Sequence, residues 1–249
     1  MPHPYYPKTG SDIKQEPNSS LTDLANKYET DKGNADRSTL SWAGFTSHYT
    51  WGYTEIYEKY MARLKNSDSP VKFLEIGICD GRFPLASVKM WLSYFKNVDL
   101  YCVDLQSVAA QVNKFGANFF NTDQGSPGDW DLIISQLGTE SLDFLVEDGS
   151  HHPYHMLYSL LRSIPLMKPN SYYFMEDIQD PQTTAGHYGY NNVTVYNTIK
   201  NFLDKGIFSS EILSPAQCAE IQKNFKVIEM HYGGPSTTRT IMAVLQKIY

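Results

Sequence analysis

From Val71 to Ile178 the chain alternates short apolar runs with amphipathic stretches, and this rhythm limits the possible folds more than any other feature of the sequence. The runs at 71–78 (VKFLEIGI), 98–105 (VDLYCVDL), 117–123 (ANFFNTD), 142–148 (LDFLVED) and 171–178 (SYYFMEDI) have the length and residue types of buried strands. Between them lie segments with apolar residues at helical spacing: 82–95, with Pro84 tolerated near its start, then 107–116, 128–138 and 152–167. Strands alternating with helices build βαβ units and a mainly parallel sheet. Because such crossovers are right-handed, the sheet is doubly wound and its ligands sit at the carboxyl ends of the strands. The tail adds two strand runs on either side of Gly233-Gly234-Pro235, which reads as a closing antiparallel hairpin.

Ahead of this alternation, residues 1–20 are proline-rich and polar and predict a flexible arm. Residues 21–69 predict a helical extension. One helix opens on Ser/Thr caps and stops at Gly33, and a second from Gly52 gathers Tyr53, Ile56, Tyr57, Tyr60 and Leu64 on one face. The main domain then runs over 70–249. A lid or substrate insertion is expected at about 180–224, where a polar, aromatic, glycine-containing stretch precedes a further helix.

Bulk properties narrow the function classes. With 41% hydrophobic and 19% charged residues, the 249-residue chain can bury a sizeable core. A net charge of −6 without a basic stripe argues against a nucleic-acid substrate. No apolar run approaches the ~20 residues that span a bilayer, and the first residues lack the basic start and apolar core of a secretory signal. Cys79, Cys102 and Cys218 lie far apart with no paired spacing, as buried reduced thiols of a cytoplasmic protein do.

Chemistry enters at the strand ends. FLEIGICDGRF is a strand feeding a glycine-containing turn and then a helix, with Glu75, Gly77 and Gly81 in an E-x-G-x-x-x-G arrangement. Glycine lets the backbone pass close to a ligand. Asp104 ends the second strand, where a carboxylate can accept from both hydroxyls of a ribose, and Asp123 follows the third, where a base edge would lie. In this order the motifs resemble the class I S-adenosylmethionine-dependent methyltransferases over about 70–245, and the closing hairpin matches that fold. The resemblance implies a seven-stranded sheet, with Gly77 near the amino-acid part of the cofactor and Asp104 at its ribose. A nicotinamide enzyme is the competing reading, weakened by the missing third-glycine spacing.

LVEDGSHHPYHM carries the second chemistry. Asp148 ends the fourth strand, and Glu176 and Asp177 end the fifth. Adjacent strand ends lie ~5 Å apart, so these carboxylates can converge. Converging carboxylates repel unless protonated or bridged by a cation, and a hard divalent ion with oxygen ligands is the simplest bridge. The alternative is that each carboxylate caps the helix that follows it.

D-G-S-H followed by E-D after the next strand resembles the metal-dependent sugar O-methyltransferases of macrolide and related pathways. KYETDKG and HYTWGYTEIY resemble an N-terminal element of that group, extending the resemblance to about 21–245. It implies S-adenosylmethionine and Mg²⁺ (or Mn²⁺) as cofactors, with Asp148, Glu176 and Asp177 as metal ligands and His151 as general base. The doubled histidine leaves His152 as a competitor for that role. Asp31 and Lys32 would lie over the cofactor end of the pocket, or form an ordinary helix C-cap. Tyr49, Tyr53, Tyr188 and Tyr190, with His187, would line the acceptor pocket or serve as packing, and His155 shares a helical face with His151.

The expected protein is a cytoplasmic O-methyltransferase acting on a hydroxyl of a sugar or glycosylated natural product, with no nucleic-acid or membrane partner and with homo-oligomer formation in keeping with related enzymes. A methyltransferase of aromatic or other small diols, a hydroxylase-like relative, and a non-catalytic S-adenosylmethionine-binding protein are the alternatives.

Overall fold

A computed structural model describes residues 5–34, 52–78, 85–182, 193–233 and 240–249. Among these residues the strands are β1 (Tyr5–Tyr6), β2 (Val71–Ile76), β3 (Val98–Asp104), β4 (Asn118–Asn121), β5 (Leu142–Glu147), β6 (Met167–Gln179), β7 (Phe225–Gly233) and β8 (Thr240–Lys247). The helices are α1 (Leu21–Tyr28), α2 (Tyr53–Met61), α3 (Ala86–Tyr94), α4 (Ala109–Phe115), α5 (Pro127–Leu137), α6 (Pro153–Ser163), α7 (Val193–Lys205) and α8 (Pro215–Asn224).

The strands form one sheet in the order β1-β4-β3-β2-β5-β6-β8-β7. β2 pairs parallel with β3 and β5, β3 with β4, and β5 with β6, while β8 enters antiparallel between β6 and β7. The doubly wound sheet and its C-terminal hairpin are therefore as the alternation predicts. The count is eight strands rather than seven, because the arm supplies one.

Each central strand is buried on both faces. Leu74, Ile76, Leu145, Tyr173 and Met175 face the layer of α5, α6, α7 and α8. Phe73, Phe144, Val146 and Phe174 alternate with them and face α1 to α4. The helical extension shares this second core: the Tyr57 ring meets Trp91 edge-on at 5.1 Å and Phe174 at 4.8 Å.

Two segments differ from the sequence expectation. Residues 5–20 of the arm lie on the body, with Tyr5–Tyr6 paired antiparallel to Phe119–Phe120 and the Tyr5 ring 4.7 Å from that of Phe120. The β4 edge would otherwise present unpaired backbone groups, and the arm covers it. Within 180–224, α7 and α8 bury Val195, Ile199, Phe202, Cys218 and Ile221 in the main core, so these helices are a layer of the sheet and not a lid. The sequence signal for α8 is Ser214-Pro215-x-Gln217, which folds as a capping box with proline in the first turn. Among the described residues no helix is long and apolar enough to cross a membrane.

Candidate active site

The carboxyl ends of β2 to β5 open into a cavity of about 570 Å³, within the range that holds small-molecule ligands. Gly77 forms its floor at φ 81°, and a Cβ there would overlap the carbonyl oxygen of Asp148. Backbone bonds from Gly77 N–H to Val103 O and from Asp148 N–H to Ile76 O, both 2.9 Å, stitch the ends of β2, β3 and β5 together. Only glycine accommodates both the left-handed backbone and this approach.

Asp104 and Asp123 line the cavity. Asp104 is aimed by two backbone donors, Ile78 N–H at 3.0 Å and Gln106 N–H at 2.7 Å. Asp123 accepts from Gly125 N–H at 2.7 Å. Glu75 is a correction: it is fully buried and accepts from Ser87 Oγ and Trp91 Nε1, both at 3.0 Å. Its carboxylate ties β2 to α3 beneath the turn, because strand alternation puts it on the Phe73 face and away from the cavity.

The carboxylates converge through a local irregularity. The β6–β8 register shifts between Met175 and Ile178, and Asp177 takes φ 53°. In a regular strand Glu176 and Asp177 would face opposite sides, and the bulge re-aims them. Asp148 Oδ1 and Asp177 Oδ2 each lie 3.9 Å from His151 Nε2. Asp148, His151 and Asp177 each offer one ligand atom, and these atoms lie within 4.8 Å of one another. His151 reaches them from a left-handed backbone at φ 55°.

The doubled histidine thereby separates. His151 is buried and lines the cavity, whereas His152 is exposed and precedes the first turn of α6.

Lys32 is 1% exposed and stands among these acids. Its ammonium donates to Glu176 Oε1 at 2.9 Å, to Glu176 Oε2 at 2.8 Å and to Asp148 Oδ2. Burial alone would lower the lysine pKa, but Asp148, Glu176, Glu75 and Asp31 outweigh it and hold the ammonium charged. Burial, with the Asp177 charge, pushes Glu176 up to about 8 against the pull of Lys32. Burial and the Asp177 and Asp31 charges likewise raise Asp148 well above the usual carboxylate range. One ammonium does not offset this many close carboxyls, so Glu176 and Asp148 hold their protons more tightly than free carboxyls do, and hard oxygen donors beside an imidazole suit a divalent cation that would displace those protons.

Tyr53 is a second correction. It is fully buried, not lining an acceptor pocket, and its hydroxyl donates to Asp177 Oδ1 at 3.0 Å. Asp31 lines the cavity beside Thr30 and Lys32. Gly81, Tyr49, His187, Tyr188 and Tyr190 lie outside the described residues.

Sequence reasoning missed Gln124. It donates to Glu147 Oε1 at 2.8 Å and Ser159 Oγ at 3.2 Å, and accepts from Ser150 N–H at 2.9 Å, so it fixes the turn that carries His151. A glutamine after a strand end has no motif. His155 closes the same wall of the cavity with Nδ1 2.8 Å from Ser150 Oγ.

This sheet order is that of the class I S-adenosylmethionine-dependent methyltransferase fold. The chain superposes with a TM-score of 0.62 on a mycinamycin-pathway methyltransferase solved with Mg and SAH, at 21% identity over 92% of this chain and 55% of that one. Among its sequence relatives are proteins named as O-methyltransferases. It is 28% identical over 174 residues to the 8-demethyl-8-alpha-L-rhamnosyl tetracenomycin-C 2'-O-methyltransferase of Streptomyces olivaceus, covering 67% of this chain and 44% of that protein. It is 27% identical over 180 residues to the mycinamicin VI 2''-O-methyltransferase of Micromonospora griseorubida, covering 67% and 40%. The chain thus spans less than half the length of these curated relatives. No family model matches it.

Proposed function

We propose that the protein is a divalent-metal-dependent O-methyltransferase that moves a methyl group from S-adenosylmethionine to a hydroxyl of a sugar or glycosylated natural product. The observation that carries this reading is the meeting of Asp148, His151 and Asp177 at the rim of a cavity whose other wall is Gly77 and Asp104. The relatives named as methylating sugar hydroxyls support the acceptor class.

S-adenosylmethionine supplies an electrophilic methyl group on sulfur. Asp104 would accept from its ribose hydroxyls, and Gly77 leaves room for its amino-acid end. Asp148, Asp177 and Glu176 would hold Mg²⁺, which when bound supplies Lewis-acid polarisation of the acceptor hydroxyl. His151 would take the hydroxyl proton at Nε2, the nitrogen that faces Asp148 and Asp177. Gln124, through Ser150, holds the turn that fixes this imidazole. The residues contribute proximity and charge arranged in advance of the transfer.

Calorimetric titration of S-adenosylmethionine into chelator-treated protein, with and without Mg²⁺ and again for Asp104→Ala, tests the donor site. Binding weakened by that substitution supports the reading, and methyl transfer to glycosides and to simple diols then separates the acceptor classes. A protein that binds no S-adenosylmethionine under either condition is not a methyltransferase.

A further inference from the structure

We propose that Lys32 is a resident cation of the carboxylate cluster, and that its ammonium and a divalent ion compete for Glu176 and Asp148. This rests on the metal site proposed above.

A lysine ammonium has three N–H donors, and here all three are spent on these two side chains: two on Glu176 and one on Asp148. Tyr57 Oη also donates to Glu176 Oε1, so both oxygens of this carboxylate are engaged. An oxygen that joins Mg²⁺ sits about 2.0–2.1 Å from the ion. With the ammonium still 2.8 Å and 2.9 Å from the two Glu176 oxygens, two like-charged centres would lie within a few ångströms of each other beside a buried carboxylate. At that separation repulsion opposes joint occupancy.

The lysine is held there by its own loop. Thr54 N–H bonds Lys32 O at 3.1 Å, and Gly52 N–H bonds Gly33 O at 2.8 Å, so the loop before α2 and the helix that carries Tyr57 are fastened together. A Cβ at Gly33 would overlap the Asn26 side chain, which keeps the loop close against α1. The N-terminal extension thus delivers a cation and a hydroxyl to the same buried carboxylate. Without either cation, nothing beside the buried Glu176 would offset the burial that disfavours its charged form.

The test is calorimetric titration of Mn²⁺ into chelator-treated wild type and Lys32→Met, which keeps the length of the chain and removes its charge. Affinity at least about tenfold tighter in Lys32→Met is expected. Its melting temperature in chelator should fall by roughly 5–10 °C and recover with Mn²⁺. Equal or weaker affinity overturns the inference and leaves the metal site standing, whereas no Mn²⁺ binding by either protein overturns both. Should Lys32→Met fail to fold, the wild type still decides the matter. With lysine side chains labelled with ¹⁵N, the buried ammonium gives an NMR signal that Mg²⁺ should shift or abolish, and a signal unchanged at saturating Mg²⁺ overturns the inference.

Discussion

The Tyr53 hydroxyl donates to Asp177 Oδ1 at 3.0 Å and lies 2.6 Å from Thr240 Oγ1, so one buried ring joins α2, the bulge of β6 and the start of β8. Tyr57, one turn later, reaches Glu176. The extension is therefore the far wall of the carboxylate cluster, and its integrity bears directly on the site.

Tyr53→Phe keeps the ring and removes the donor. The expected loss is about 1 kcal/mol of stability, together with a several-fold weaker divalent-ion affinity because Asp177 is no longer held in place. Urea melts and Mn²⁺ calorimetry measure the two effects, and a variant with unchanged metal affinity would show that the hydrogen bond matters only to the fold.

His151→Ala should lower kcat by about 10²–10⁴-fold while leaving the S-adenosylmethionine Kd within about threefold. His152→Ala should keep most of the activity, since that ring is exposed and outside the cavity lining. Single-turnover rates for the two variants settle the assignment, and a larger loss in His152→Ala would reverse it.

Gly77→Ala combines a left-handed φ of 81° with overlap on the Asp148 carbonyl. Backbone strain alone costs about 1–3 kcal/mol, and relieving the overlap pushes the Asp148 turn away from β2. Loss of both stability and S-adenosylmethionine binding is expected by denaturant melts and calorimetry. Normal binding in a stable variant would mean that the backbone does not approach the cofactor here.

Glu147 is fully buried; burial, against the Gln124 hydrogen bond, pushes its carboxyl from 4.5 up to about 7. The folded state then holds this proton more tightly than the unfolded chain does. Its contribution is complete below about pH 4.5 and is lost as pH rises through about 7, up to about 3 kcal/mol. Glu147→Gln removes that dependence, so its stability relative to wild type should be greater at pH 8 than at pH 5 by roughly 2–3 kcal/mol. Parallel stability–pH curves for the two proteins would show that Glu147 does not titrate in this window.

The strand and helix rhythm, Gly77, Asp104, Asp123 and Asp148 were legible because each depends on local chemistry: apolar period, a turn that tolerates no side chain, a carboxylate at a strand end. Glu75 and Tyr53 carry the same local signals, yet one side chain faces α3 and the other is buried against Asp177. Which way a residue points at a strand end or on a helix depends on what packs opposite, and no window of sequence contains that. Gln124 and α8 show the converse: the glutamine has no motif, and the Ser214–Gln217 cap is a signal that the aromatic stretch before it obscured.

By itself the sequence determined the doubly wound sheet, its antiparallel closing strand and the strand ends that could carry chemistry, because backbone periodicity and hydrophobic burial are properties of neighbouring residues. Only the tertiary structure decided which of two adjacent histidines meets the carboxylates, that the arm closes the β4 edge, and that Lys32 lies 144 positions from Glu176 in sequence and 2.8 Å from it in space. A buried charge is stable only where another part of the chain brings its partner, and that partner is chosen by the packing of whole elements.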